Sequence, residues 1–176
     1  MLFFKDKSRM IDADSALPGR ETEMVVQKDQ GLIHEITTSV SYVEKDKILW
    51  AATYFGGSRY DGRNWKNFLE KDSGLPSNFL NQVKAVDGTR AWYSTDKGLA
   101  YVHGENWAVY RPALDTHAPE MLTRDARGSV THSLVATAPA HHYILGIDFQ
   151  GDDLWVATAH GLSHGIRTIS KKAGTQ

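Results

Sequence analysis

Residues 49–65 read LWAATYFGGSRYDGRNW, and residues 91–107 repeat the punctuation as AWYSTDKGLAYVHGENW. Trp50 and Trp92 are 42 residues apart, and the same offset separates Thr53 from Thr95, Gly62 from Gly104, Asn64 from Asn106 and Trp65 from Trp107. A third copy of the front half, LWVATAHGL at 154–162, carries Trp155 and Thr158 in the same W-x-x-T arrangement. Upstream, GRETEMVVQKDQGL (19–32) aligns without a gap on GRNWKNFLEKDSGL (62–75). Five equal offsets and two further partial copies make the chain an array of one repeated unit.

A period near 42 residues suits either helical solenoids or propeller blades, so the pattern inside the unit decides. Each unit holds short runs rich in Val, Thr, Tyr and Trp, such as TTSVSYV, ILWAATYF, GLAYVHG and WAVYRP, closed by EKDK, GG, DG or HGEN. These are strand and turn signals, and few stretches sustain a helical period over even three turns. Four such runs fill a unit as an antiparallel meander, which buries its faces only by stacking on its neighbours. The expected fold is all-β: a β-propeller segment of about three four-stranded antiparallel blades. Residues 1–30 then give outer strands of an incomplete blade, with LFFKD and EMVVQ as candidates. Residues 31–73 form blade one (strands near 37–44, 48–54, 57–61 and 64–69), and 74–112 form blade two (80–86, 90–95, 98–103 and 106–111). Residues 113–142 are an inserted hairpin or loop, and 143–176 form an incomplete blade three (143–149, 153–158 and 162–168).

The chain has 176 residues, enough for a compact fold to bury roughly 70% of its unfolded surface. Twenty basic residues oppose twenty-one acidic ones, so no field steers it to nucleic acid. With no cysteine, disulfides, thiolate metal sites and a cysteine nucleophile are excluded. The apolar runs fall far short of the ~20 residues that span a bilayer, so no membrane insertion is expected. MLFFKDKSRM places charges where a secretory signal carries its apolar segment. The expectation is a soluble protein, cytoplasmic, processed, or cut from something longer.

The run GLPSNFLNQVKAVDGTRAWYSTDKGLAYVHGENWAVY resembles the two-component regulator propeller repeat, whose blades occur in extracytoplasmic sensor regions of bacterial signalling proteins. Gly74, Leu75, Pro76 and Asn78, then Trp92, Thr95, Gly98 and Leu99, then Gly104 and Trp107 occupy the places of that pattern. Blade one departs at GLIHE and at YFGGS, which reads one residue longer than its counterpart; blade three lacks the second Trp. The resemblance implies a propeller, a periplasmic or extracytoplasmic location and a sensing role, and it names no ligand.

Propellers close with four to eight blades, so three leave two apolar end faces uncovered. Either a second copy joins head to tail, its N-terminal strands completing the last blade of its partner, or the chain belongs to a larger propeller or complex.

The recurring Trp50, Trp92 and Trp155 are read as inter-blade packing residues, with Trp65 and Trp107 likewise. Thr53, Thr95 and Thr158 are expected to hydrogen-bond within or between blades, and Gly57, Gly98 and Gly161 to mark turns. Function is sought where the copies differ, on the loops at one mouth of the channel: His34, Glu35, Tyr54, Phe55, Ser77, Asn78, Asp96, Lys97 and His160 are the ligand-binding candidates, for a small ligand or a protein. No cofactor, metal ligand or catalytic residue is assigned. His160 and His164 lie across a turn, and His141 and His142 are adjacent, which on a strand would send them to opposite faces. The alternative is a metal-assisted lyase or hydrolase with His34, His142 or His160 as base; a third reading is a structural subunit of a larger complex. The 21 extra residues between Trp92 and Trp155 read as a hairpin turning at DARGS and protruding over the binding face.

Overall fold

The computed structural model describes residues 31–113 and 115–166. Among these there is no helix, and thirteen strands form three antiparallel sheets. Sheet 1 contains β1 (Thr37–Val43), β2 (Ile48–Thr53), β3 (Gly56–Tyr60) and β4 (Trp65–Phe68) in sequence order. Sheet 2 begins as the same meander with β5 (Leu80–Ala85), β6 (Arg90–Thr95), β7 (Gly98–His103) and β8 (Asn106–Pro112). Sheet 3 has β11 (Ile144–Gln150), β12 (Asp153–Thr158) and β13 (Gly161–Gly165). The candidate strands LFFKD and EMVVQ, and residues 167–176, lie outside the described residues.

The turn between the second and third strands is built identically three times. Thr53, Thr95 and Thr158 each donate Oγ1–H to the carbonyl three residues on (2.6, 2.8 and 2.9 Å) and accept the amide two residues on, from Phe55, Lys97 and His160. The threonine therefore serves its own turn and does not bridge sheets. The glycine each turn requires is Gly56, Gly98 or Gly161, with φ of 99°, 141° and 106°. Gly56, not Gly57, is thus the counterpart of Gly98, and YFGGS is no longer than the matching loop. Consequently β3 and β13 each start one residue earlier than the sequence pattern predicts.

Gly57 has a different purpose. A Cβ there would lie 3.0 Å from the hydroxyl of Tyr93, whose fully buried ring enters from sheet 2. Burial pushes the Tyr93 phenol far above its ordinary value, and its oxygen has no hydrogen-bond partner among the described residues. The ring's packing must outweigh that cost of about 1–3 kcal/mol.

The sheets stack in order with sheet 2 in the middle. Ile48, Trp50, Ala52 and Phe68 of sheet 1 form one core with Val83, Tyr93, Val102, Trp107 and Val109 of sheet 2. On the opposite face of sheet 2, Leu99 and Trp92 meet Ile144, Ile147, Leu154 and Val156 of sheet 3. The first strands converge: Thr38 Oγ1 donates to Leu80 O (2.8 Å), Ala85 N to Ser41 Oγ (3.0 Å) and Asn81 Nδ2 to Ile144 O (2.7 Å), so β5 touches both β1 and β11.

At the opposite edge, the β5–β6 turn locks sheet 1 to sheet 2 through Trp50 Nε1 to Asp87 O (3.2 Å) and Arg59 Nε to Gly88 O (2.7 Å). Burial favours protonation of Asp87, but hydrogen bonds from Thr89 and Arg90 prevail and hold its carboxyl at about 2. The turn therefore keeps its shape across the physiological range.

The three repeat tryptophans are not equivalent. Trp50 is 1% exposed, between Phe68 and Tyr93. Trp92 faces sheet 3 under Tyr101. Trp155 points away from sheet 2, because its neighbours Leu154 and Val156 point into it. It stacks on His164 at 4.0 Å and donates its indole N–H to Gln150.

The insertion forms β9 (Pro119–Arg124) and β10 (Val130–Leu134), turning over Asp125–Ser129. It does not protrude over the predicted mouth. It pairs with β8 and widens sheet 2 to six strands in the order β10-β9-β8-β7-β6-β5. Arg111 and Glu120, both mostly buried, form a 2.7 Å ion pair across that junction, and Arg124 donates to Asp72 O (2.8 Å). The β8 edge of an exposed sheet invites pairing, and the chain's own hairpin occupies it.

Candidate functional site

Every second-to-third-strand turn and every loop entering a first strand reaches the same edge of its sheet. The entering loop also has a repeated device: a side chain accepts the amide two residues on. His34 Nδ1 accepts from Ile36 N (3.1 Å), Ser77 Oγ from Phe79 N (3.0 Å) and His141 Nδ1 from Tyr143 N (3.0 Å). The backbone then ties the loop to the turn beside it, Tyr54 N to Ile36 O and Ala159 N to Tyr143 O, both 3.0 Å. Sheet 1 and sheet 2 are joined at this edge by Gly56 N to Asn78 O (2.7 Å).

On this common frame the side chains differ. The turn positions hold Tyr54 and Phe55, then Asp96 and Lys97, then Ala159 and His160. Tyr54 and Phe55 are about half exposed; Tyr54 stacks on Phe79 at 4.9 Å and Phe55 lies 6.3 Å from His34. Lys97 Nζ is 3.7 Å from Glu70 Oε1, an exposed pair of little energetic weight. Asp96 keeps one buried carboxylate oxygen without a hydrogen-bond partner among the described residues. Ser77 is 4% exposed and occupied by its capping bond, while Asn78 accepts from Glu70 N (2.8 Å), so both shape the loop. Glu35 is exposed beside His34.

At the sheet 3 end, His141 stacks on His142 at 4.2 Å and lies 4.3 Å from His160. The pair that a strand would have separated lies in a loop before β11, where the backbone bends and brings the rings together. The His141 and His142 rings are stacked, that of His160 is tilted by 44° to His141, and His141 Nδ1 is already engaged by Tyr143 N–H. Among the described residues no group of three or more His, Cys, Asp or Glu is placed to hold a metal ion. His164, across the turn from His160, belongs instead to Asp153 at 3.1 Å and to Trp155.

Partial desolvation and the neighbouring His142 and His160 rings, with His117 further off, hold His141 below its ordinary value. The unfolded chain thus binds its proton at a higher pH than the folded chain does. Stability from this group falls as pH drops through the ordinary histidine value towards the lowered one. The melting temperature is therefore expected to drop between pH 7.5 and 5.5. His141→Ser, which retains the cap seen at Ser77, should reduce that drop when both variants are melted at the two pH values.

His141, Phe79 and Glu70 were not among the residues chosen from sequence. Counting back from Thr53, Thr95 and Thr158 does not align His34, Ser77 and His141, because the first-to-second-strand turns differ in length.

No family model matches the chain, and no curated protein matches it. Among solved structures it is similar to the extracellular domain of a protein described as a one component system from B. thetaiotaomicron, at 11% identity and a TM-score of 0.34, over 74% of this chain and 27% of that one. A second structure, described as the extracellular domain of a hybrid two component system from the same organism, matches at 12% identity and 0.34, over 77% and 28%. A Nidogen/Laminin complex matches at 10% and 0.35, over 74% and 58%. The chain spans between about a quarter and just over half of the length of these structures, and similarity of this degree bears on neither family nor ligand.

Proposed function

We propose that this chain is a β-propeller segment acting as a non-catalytic binding module, recognising a small ligand or a protein through the loops along one edge of its three sheets. The observation that carries this reading is the pair of repeated caps. Three threonine-closed turns and three i-to-i+2 loop caps repeat the same hydrogen bonds while presenting aromatic, charged and imidazole side chains at matching positions. A rigid scaffold with variable loops is how binding faces are generally built. The stacking of the sheets and the convergence of β1, β5 and β11 support the propeller arrangement, since first strands line the axis of that fold. The sequence resemblance to the two-component regulator propeller repeat favours a sensing part of a bacterial signalling system in an extracytoplasmic compartment.

A thermal-shift screen against oligosaccharides, short peptides and aromatic acids tests the reading. Stabilisation by a hit should be lost in Phe55→Ala, Lys97→Ala or His160→Ala, and kept in His103→Ala at the opposite edge. A hit that survives all three rim changes would place recognition elsewhere.

A further inference from the structure

The third strand of sheet 3 has an open edge. Among the described residues β13 pairs with β12 alone, whereas its counterparts β3 and β7 are each covered by a fourth strand. Burial follows the same contrast: Ser58 of β3 is fully buried, but its counterpart Ser163 of β13 is partly exposed. Beside that edge a cleft of about 800 Å³ opens between sheets 2 and 3, lined by Trp92, Tyr101, Tyr110, Phe149 and Ser163. Between sheets 1 and 2 the corresponding space is filled by the side chains of the fourth strands, Phe68 against Trp107 at 5.3 Å.

Gly31 indicates where a strand for this edge comes from. A Cβ on Gly31 would lie 2.4 Å from Trp65, as one on Gly74 would lie 2.1 Å from Trp107, and the following Leu32 and Leu75 are both buried. Gly74 reaches its seat on sheet 2 directly from β4, the fourth strand of the sheet before. Gly31 takes the same seat on sheet 1 that Gly74 takes on sheet 2. The ungapped match of 19–32 to 62–75 sets Thr22, Glu23, Met24 and Val25 on Trp65, Lys66, Asn67 and Phe68. Among the described residues sheet 3 is the sheet without a fourth strand, and three sheets are fewer than the four to eight with which propellers close.

We propose that Thr22–Val25 of a second copy of this chain pairs with β13 as the fourth strand of sheet 3, in the register Ser163 to Met24. Met24 then enters the cleft towards Tyr101 and Tyr110, and Glu23 lies opposite His164. The same contact sets the outward face of sheet 3, with Trp155 and Leu162, against the uncovered face of sheet 1 in the second copy. That face exposes Val40 and Tyr42, at 61% and 54%. The junction so formed has the polarity of the two junctions within the chain, and two copies would complete six sheets.

This inference rests on the propeller reading but not on recognition at the rim. The absence of cysteine from the chain permits a direct test with the whole 176-residue chain. Met24→Cys and Ser163→Cys chains are mixed and oxidised. The expected product is a disulfide-linked species of twice 19.6 kDa that appears in the mixture and in neither variant alone. The proposal is overturned if the double variant links only within one chain. It is equally overturned if Ser163→Cys links instead to Ile169→Cys, which would give the edge to the chain's own C-terminal residues. Monomeric mixtures that form no link and bind the dye ANS would assign the cleft to an apolar ligand. Loss of rim binding with the cross-link intact would count against the rim reading alone.

Discussion

Trp50→Ala is expected to destabilise the protein by about 3–5 kcal/mol, measured by urea unfolding. The indole is 1% exposed and joins the two largest sheets, stacked near Phe68 at 6.1 Å and edge-on to Tyr93 at 6.4 Å. Its N–H satisfies Asp87 O, and the Arg59 guanidinium sits 5.6 Å over its ring. Removing it empties the centre of the core and leaves a carbonyl and a guanidinium with one partner fewer. Phe68 and Tyr93 cannot close the gap, because each is already packed against Trp107.

Gly74→Ala is the second large change, with an expected loss of about 3 kcal/mol. The new Cβ would fall 2.1 Å from Trp107 Cβ and 2.4 Å from its Cγ. The obstacle is the root of a side chain fixed on β8, 4% exposed, so relief requires backbone movement of either the loop or the strand. Gly104→Ala is the comparison. That residue has open space around it and a φ of 63°, so the cost is confined to the left-handed backbone, about 1–2 kcal/mol. If the two variants melt alike, the close seat of the entering loop on the tryptophan is wrong.

Much of the architecture was legible because the constraints that make it are local and repeated. The spacing of Trp50, Trp92 and Trp155 located the second strands within a residue or two, since a strand and its hairpin turns have fixed lengths. What the spacing did not contain was each tryptophan's surroundings. Trp50 and Trp155 occupy one position of the repeat, but only Trp50 has another sheet in front of it among the described residues. The DARGS hairpin illustrates a second limit: its two strands and turn were readable, but its docking on β8 depends on an exposed edge and on the Arg111–Glu120 pair. At the rim, Tyr54, Phe55, Asp96, Lys97 and His160 lie on the turns the repeat predicts. The meeting of His141 with His142 and His160 needs a bend before β11 that no spacing encodes. Ser77 and Asn78 show the converse, polar residues at the rim whose hydrogen bonds are taken up by the loop itself.

In the proposed assembly a second copy covers the end faces that sheets 1 and 3 leave open among the described residues. Light scattering of the 176-residue chain at micromolar concentration measures its mass in solution. One species at twice 19.6 kDa is expected; a stable, non-aggregating monomer at 19.6 kDa would rule the assembly out.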